Sequence, residues 1–306
     1  MEAWLQHPFY FGETILNELH IFAGPWLDYV MTAITHTGGQ IFYMVILAIL
    51  YWVCDRKMMI KVGGIFLVSA LVNTLVKDLY GAPRPDPALL SEGINHLARD
   101  LAPHSPGFPS GHTQGSVTFW GSLFWYGNRR KLAIPVLLLI VLVPYSRIYL
   151  GVHFLGDVIG GFVIGFAILF AGIFIIRLCQ GLTEVQALGL AGAAIIIASI
   201  VFFITSETPY VHRITGALAG MMGGIFFMRD KNAPWRSNAV VKVLIGLVGM
   251  AIIKEGLKFI LPSGSMGTYL RYFAIGLWVT LGAPLLFYKF WPETQEASRS
   301  DSSVSE

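Results

Sequence analysis

Residues 154–177 read FLGDVIGGFVIGFAILFAGIFIIR. Between Asp157 near the start of this run and Arg177 at its end there is no charged residue. A helix rises about 1.5 Å per residue, so a run of this length covers the roughly 30 Å hydrocarbon core of a bilayer. The run shows none of the two-residue alternation of a half-buried strand. In lipid, only helices or closed barrels can satisfy every backbone N–H and C=O. These residues therefore set the fold class: an all-α, polytopic transmembrane helical bundle.

Comparable apolar runs lie on both sides. Candidate spans fall at roughly 36–54, 58–77, 112–127, 132–147, 154–177, 185–205, 210–228, 238–261 and 267–290, about nine in all. Composition agrees, with 55% hydrophobic and 13% charged residues, whereas soluble domains carry about 25% charged residues. The stretch 13–34 mixes Glu13, Glu18 and Asp28 with apolar residues and reads as an interfacial helix interrupted near Gly24-Pro25, with a tenth, poorly apolar span as the alternative. The Ser- and Glu-rich stretch 292–306 reads as disordered. The expected organisation is an N-terminal periplasmic or interfacial segment (1–35), a catalytic core (36–180), a further transmembrane module (181–291) and a tail (292–306).

The net charge of +3 is too small to serve as a footprint for nucleic acid. Its placement is more informative. With the loops taken alternately, thirteen Lys and Arg fall on one side, among them Arg56, Lys57, Lys61, Arg129, Arg130 and Lys131. Six fall on the other: Lys77, Arg84, Arg99, Arg147, Arg213 and Arg271. Basic residues favour the cytoplasmic side, so the loop 78–111 is expected to face outward, periplasmic in a bacterial inner membrane. Met1 to Asp55 holds no Lys or Arg, so a cleaved signal peptide is not expected. Cys54 and Cys179 are far apart and show no metal-binding spacing. They read as small apolar fillers, and neither a metal nor another cofactor is expected.

Three polar clusters lie on the outward face: Lys77 to Pro85 (KDLYGAPRP), Pro109 to His112 (PSGH), and Ser146-Arg147 followed by His153 and Asp157. Lys77, Arg84 and Arg147 bring three cations to the rim of an apolar bundle, where they repel unless an anion joins them. Phosphate oxygens match both the guanidinium fork and the ammonium point charge. Ser110-Gly111-His112 falls where a loop enters a helix, whose free N–H groups favour anions. On a helix, His153 and Asp157 would share a face. Asp157 could then hold one ring nitrogen protonated and leave the other as a free lone pair, making His153 a candidate nucleophile.

The three clusters, KxxxxxxRP, PSGH and SRxxxxxHxxxD, resemble the signature of the type 2 phosphatidic acid phosphatase superfamily, and all its positions are filled. The resemblance covers roughly residues 40–177. It implies that His153 attacks phosphorus and forms a phosphohistidine. Asp157 would orient His153, and His112 would protonate the leaving oxygen and then activate water. Lys77, Arg84, Arg147, Ser110 and Gly111 would hold the phosphate oxygens. The expected activity is metal-independent hydrolysis of a phosphate ester on a membrane lipid, of phosphatidic acid or sphingoid-phosphate type. A polyprenyl diphosphate is the alternative substrate. Phosphotransfer and lipid transport through the same anion pocket are alternative functions.

Other residues carry weaker signals. His96 and His104 lie in the 78–111 loop, where solvation outweighs headgroup contact; for Arg99, in the same loop, the sequence does not separate a headgroup contact from a solvated charge. Lys254, Glu255 and Lys258 fall within a predicted span, where charges are costly and are paired or functional. Trp52, Trp125 and Trp278 read as interfacial anchors.

Overall fold

The computed structural model describes residues 7–22, 24–102, 105–127, 130–205, 209–228 and 238–291. The tail 292–306, His104 and several of the basic loop residues, including Arg129, Arg229, Lys231 and Arg236, lie outside these. Among the described residues every regular element is helical. The chain divides into two compact units, Met1–Ile46 with Ile60–Gly181, and Leu47–Met59 with Leu182–Glu306.

The first unit carries short helices α1 (Pro8–Phe11) and α2 (Thr14–Leu19) and then α3 (Pro25–His36). Pro25 sits in the first turn of α3, where its missing N–H costs nothing; this is the interruption that the Gly24-Pro25 pair announces. The bend through Thr37-Gly38-Gly39 leads into α4 (Gln40–Val53), turned by 54° from α3. Next come α5 (Arg56–Tyr80), the amphipathic α6 (Glu92–Leu101), α7 (Gly111–Gly127), α8 (Ala133–Tyr149) and α9 (Leu155–Leu178).

The packing of α9 follows from its residue spacing. Gly156, Asp157, Gly160, Gly161, Gly165, Leu169 and Ile173 form its buried stripe, while Val163, Phe166, Phe170 and Phe174 are exposed on other faces. A large apolar side chain left exposed along such a helix belongs against lipid tails. The glycines let α9 approach α7 closely. A Cβ at Gly161 would come within 2.8 Å of the Ser110 carbonyl oxygen and 2.9 Å of Thr113 Cβ; one at Gly165 would come within 3.1 Å of Val117 Cβ. Below them Ile65, Val117, Leu169 and Ile173 close the core. Above them α6 turns Ile94 and Ala98, four apart, onto Leu16, Ile148 and Phe154.

The second unit comprises the stretch Leu47–Met59, which is the end of α4 and the start of α5, together with α10 (Glu184–Thr205), α11 (Pro209–Met228), α12 (Ala239–Ile260), α13 (Ser265–Leu277) and α14 (Ala283–Phe290), with a π-helical turn Trp278–Gly282 between the last two. Trp52 and Trp278 depart from the anchor reading. Trp52 is 1% exposed and donates its indole N–H to the Val279 carbonyl; Trp278 donates to that of Gly246. A ring whose N–H finds a carbonyl partner can be buried without penalty. Trp125, 48% exposed with Arg177 over its ring, fits the boundary position. Lys254 and Lys258 both pair with Glu255, Lys254 at 3.0 Å, on an exposed face of α12.

The span count differs from the expected nine. Among the described residues four helices are long and apolar enough to cross a membrane, or five if bent α3 and α4 count as one broken span, so nine is not confirmed. The reasons are local. Helices α7 and α8 have 17 residues each, short of the ~20 that a crossing needs. Lys242, Lys254, Glu255 and Lys258 put three or more charges into any 18 consecutive residues of α12.

The close α7–α9 approach gives a test. Gly161→Ala is expected to destabilise the protein by the about 1–3 kcal/mol typical of overpacking, and so to lower its melting temperature in detergent. Val163→Ala, on an exposed position of the same helix, should leave it within a degree or two. Equal melting of the two variants would mean that the glycine seam does not set the packing.

Candidate active site

The loop after α8 delivers the imidazole and the first turn of α9 holds it. His153 stands just before Phe154, the residue that caps α9, and Asp157 is the third residue of the helix. The Asp157 carboxylate reaches back out of the first turn. One oxygen, Oδ2, accepts from His153 Nδ1 at 3.0 Å and from the Phe154 backbone N–H at 3.0 Å. The two residues therefore meet as expected but not on one helix face: His153 lies outside the helix, and the carboxylate makes the contact as a cap would.

The tautomer follows from the other ring nitrogen. Arg84 Nη1 lies 3.1 Å from His153 Nε2. A guanidinium only donates, so Nε2 is the acceptor and Nδ1 carries the proton that Asp157 receives. His153 is 1% exposed. Burial first, then the positive charges of Arg84, Arg147 and Lys77, and then His112, hold its pKa well below the ordinary histidine value. The same neighbours place the three predicted cations and His112 within electrostatic range of His153.

Each cation is held by neutral oxygens. Arg84 donates through Nε to the Ser105 carbonyl at 2.7 Å, through Nη1 to the Val152 carbonyl at 2.7 Å, and through Nη2 to Ser105 Oγ at 3.2 Å. Lys77, at the end of α5, donates to the carbonyls of Pro106 and Gly107, the latter at 3.1 Å. Arg147, 2% exposed, donates through Nη1 to Thr35 Oγ1 at 2.7 Å. Its Nε and Nη2 have no partner among the described residues. Buried guanidinium donors without acceptors are costly, and an anion would relieve that cost.

The PSGH turn completes the ring. Ser110 stands before α7, its N–H donating to the Asp157 carbonyl at 2.9 Å and its Oγ accepting from Thr113 Oγ1 at 3.0 Å. The Ser110 hydroxyl proton remains available to a ligand. Gly111 starts α7, and a Cβ there would approach Asn73 Oδ1 at 3.0 Å. A Cβ at Gly38 would come within 3.0 Å of His112 Cδ2, so the bend after α3 abuts the second histidine.

Sequence reading missed the residues that support the site. Asn73 Nδ2 bonds Gln114 Oε1 at 2.9 Å and the Pro109 carbonyl at 3.3 Å; Gln114 Nε2 bonds Ser69 Oγ at 2.9 Å and its carbonyl at 2.8 Å. Buried amides in apolar helices were the available signal, because such groups are expensive unless used. His96 and Arg99 are exposed on α6. His96 lines a separate cavity of about 490 Å³ with Asn17, His20, Asp28 and Ser91.

With this geometry in view, the family assignment is direct. The model of the PAP2 superfamily matches residues 58–181, and that of the PAP2 superfamily phosphatase transmembrane extension matches residues 212–295. Bacillus subtilis phosphatidylglycerophosphatase B is 30% identical over 171 residues, covering 52% of this chain and 79% of that protein. Undecaprenyl-diphosphatase BcrC of the same organism is 30% identical over 148 residues, covering 46% of this chain and 71% of that protein. The crystal structure of a transmembrane PAP2-type phosphatidylglycerolphosphate phosphatase from Bacillus subtilis aligns at 27% identity with a TM-score of 0.43, covering 56% of this chain and 87% of that one. The chain belongs to the PAP2 superfamily. It is an integral-membrane phosphoric ester hydrolase. The match at 212–295 also gives a family place to the second half of the chain, which the three motifs leave unexplained.

The electrostatics predict a titration. Because the His153 pKa is depressed, its ring should stay neutral as pH falls through ~6.5, the ordinary histidine value. Below that pH the unfolded chain takes up the proton first, so the His153 contribution to stability declines with acidification. Nitrogen NMR of histidine-labelled protein in detergent should show the His153 ring without a midpoint near 6.5. A normal midpoint would mean that the cation ring is not assembled around it.

Proposed function

We propose that this enzyme hydrolyses the phosphate ester of a membrane lipid through a phosphohistidine on His153, using no metal. The observation that carries the proposal is an imidazole oriented by Asp157 and set beside Arg84, with a further cation, Arg147, whose Nε and Nη2 are buried and without partners among the described residues. A loose phosphoryl transition state spreads charge over its equatorial oxygens, so positioned cations supply much of the catalysis.

The proposed steps are these. Phosphate oxygens take up the Nε/Nη2 edge of Arg147, the Arg84 fork, the Lys77 ammonium, the Ser110 hydroxyl and the Gly111 N–H. Drawing Arg84 onto oxygen frees the His153 Nε2 lone pair, which attacks phosphorus as the bond to the lipid oxygen breaks. His112 gives its proton to that oxygen. Asp157 stabilises the positive charge on the phosphorylated ring through Nδ1–H. His112 then takes a proton from water, the water oxygen attacks phosphorus, and the P–N bond breaks to restore Nε2 and release phosphate.

A lipid substrate is supported by the exposed apolar faces of α8 and α9 beside the site. It is also supported by relatives whose names specify phosphatidylglycerophosphate, undecaprenyl diphosphate and, in Bacteroides thetaiotaomicron, lipid A. The proposed setting is a bacterial inner membrane with the site facing the periplasm, as the distribution of Lys and Arg favours. In this reading residues 36–180 form the catalytic core and 181–291 an accompanying helical module.

The test is phosphate release by purified protein in detergent, with EDTA present, across phosphatidic acid, phosphatidylglycerophosphate, a sphingoid-base phosphate and a polyprenyl diphosphate. Wild type should release phosphate and His153→Ala should lose at least about a thousandfold. Folded wild-type protein inactive on the whole panel, or activity retained in His153→Ala, would overturn the proposal.

A further inference from the structure

We propose that α3 is a wall of the phosphate site and that Thr35 is a positioning residue for Arg147. The inference rests on the phosphatase reading above. It adds a residue that lies outside all three motifs and outside the stretch 58–181 that the superfamily matches.

A guanidinium has two bidentate edges, and which one meets the substrate depends on how the side chain is held. Among the described residues the one partner of the Arg147 guanidinium is the Thr35 hydroxyl, bound through Nη1. The Nε and Nη2 nitrogens left over are the pair whose N–H bonds run side by side. A single contact to Nη1 thus leaves the whole side-on fork open, buried and without partners. Thr35 is itself 2% exposed, so no water competes freely for that bond.

Thr35 is fixed by its own helix. Asp28, Met31 and Thr35 are spaced three and four apart and share one face of α3. Asp28 Oδ1 accepts from the Tyr149 hydroxyl at 2.7 Å. Met31 is buried against Tyr149, Leu150 and Val152, the chain that leads into His153. The face that holds the Arg147 guanidinium therefore also braces the end of α8 and the approach to the nucleophile. The bend after α3 then passes His112 at Gly38.

Removing the acceptor should misplace the fork without unfolding the protein. Thr35→Val keeps the shape and loses the oxygen; Thr35→Ser keeps the oxygen. Thr35→Val is expected to lower kcat/KM about tenfold, in line with a hydrogen bond to a charged group, and to raise the inhibition constant of orthovanadate, a phosphate mimic, by a similar factor. Thr35→Ser should stay within about twofold of wild type on both, and the melting temperatures of the three proteins should agree within a few degrees. Thr35→Ala removes the same oxygen, and it carries the same expectation should the valine variant fold poorly. In an Arg147→Lys background, where the fork is gone, adding Thr35→Val should change vanadate inhibition little, because the two residues act as one unit. Wild-type kinetics and vanadate inhibition in folded Thr35→Val or Thr35→Ala would overturn the proposal, as would full additivity with Arg147→Lys. An inactive wild type would instead defeat the phosphatase reading, since Thr35 is judged only against an active parent.

Discussion

The candidate active site hangs on one residue at the start of one helix. The Asp157 carboxylate binds His153 Nδ1 and the N–H that begins α9, while its backbone carbonyl binds the Ser110 N–H. Two of the three motifs are thereby joined through a single residue. The arrangement needs the carboxylate within the first helical turn, where unpaired N–H groups and the helix dipole favour negative charge. It also needs α9 close enough to α7 for that backbone bond to form, which the glycines at 161 and 165 permit. Side-chain chemistry and helix packing are here the same constraint.

The cations are the second constraint. Burying a charge is costly unless it is hydrogen-bonded. Arg84 and Lys77 are solvated by carbonyl and hydroxyl oxygens of the 105–107 turn and of Val152, and Arg147 by a threonine. A carboxylate in those places would have compensated the charge and removed the attraction for an anion. Neutral acceptors lower the desolvation cost and leave the positive potential in place. Lys254, Glu255 and Lys258 show the contrasting arrangement, with both lysines on the one glutamate.

Much of this is legible in the sequence. The run at 154–177 gave the helical class, and the spacings within three short motifs gave His153, Asp157, His112 and the cations. Those residues are readable because their chemistry demands particular side chains at particular intervals. Span counting was less successful, since α7 and α8 are shorter than a crossing and α12 carries a charge cluster within its length. Trp52 was misread because its partner is a main-chain carbonyl more than two hundred residues away, which no local pattern encodes. Thr35 and Asn73 were invisible for a related reason. A lone threonine or asparagine acquires meaning only from what folding brings beside it, and a segment read as interfacial gave no cause to look for a hydrogen bond to Arg147.

The bend at Thr37-Gly38-Gly39 separates two kinds of boundary that are easily taken as one. All eleven signature residues lie between Lys77 and Asp157, and a protein trimmed to that stretch would look complete by its motifs. It would lack the bend that makes room for His112 and the helix that holds one edge of Arg147. Recognition by motif and the set of residues packed around the candidate site thus have different limits in this chain. A grafted or minimised version that kept the Thr35–Arg147 contact would begin before Pro25, not at Lys77.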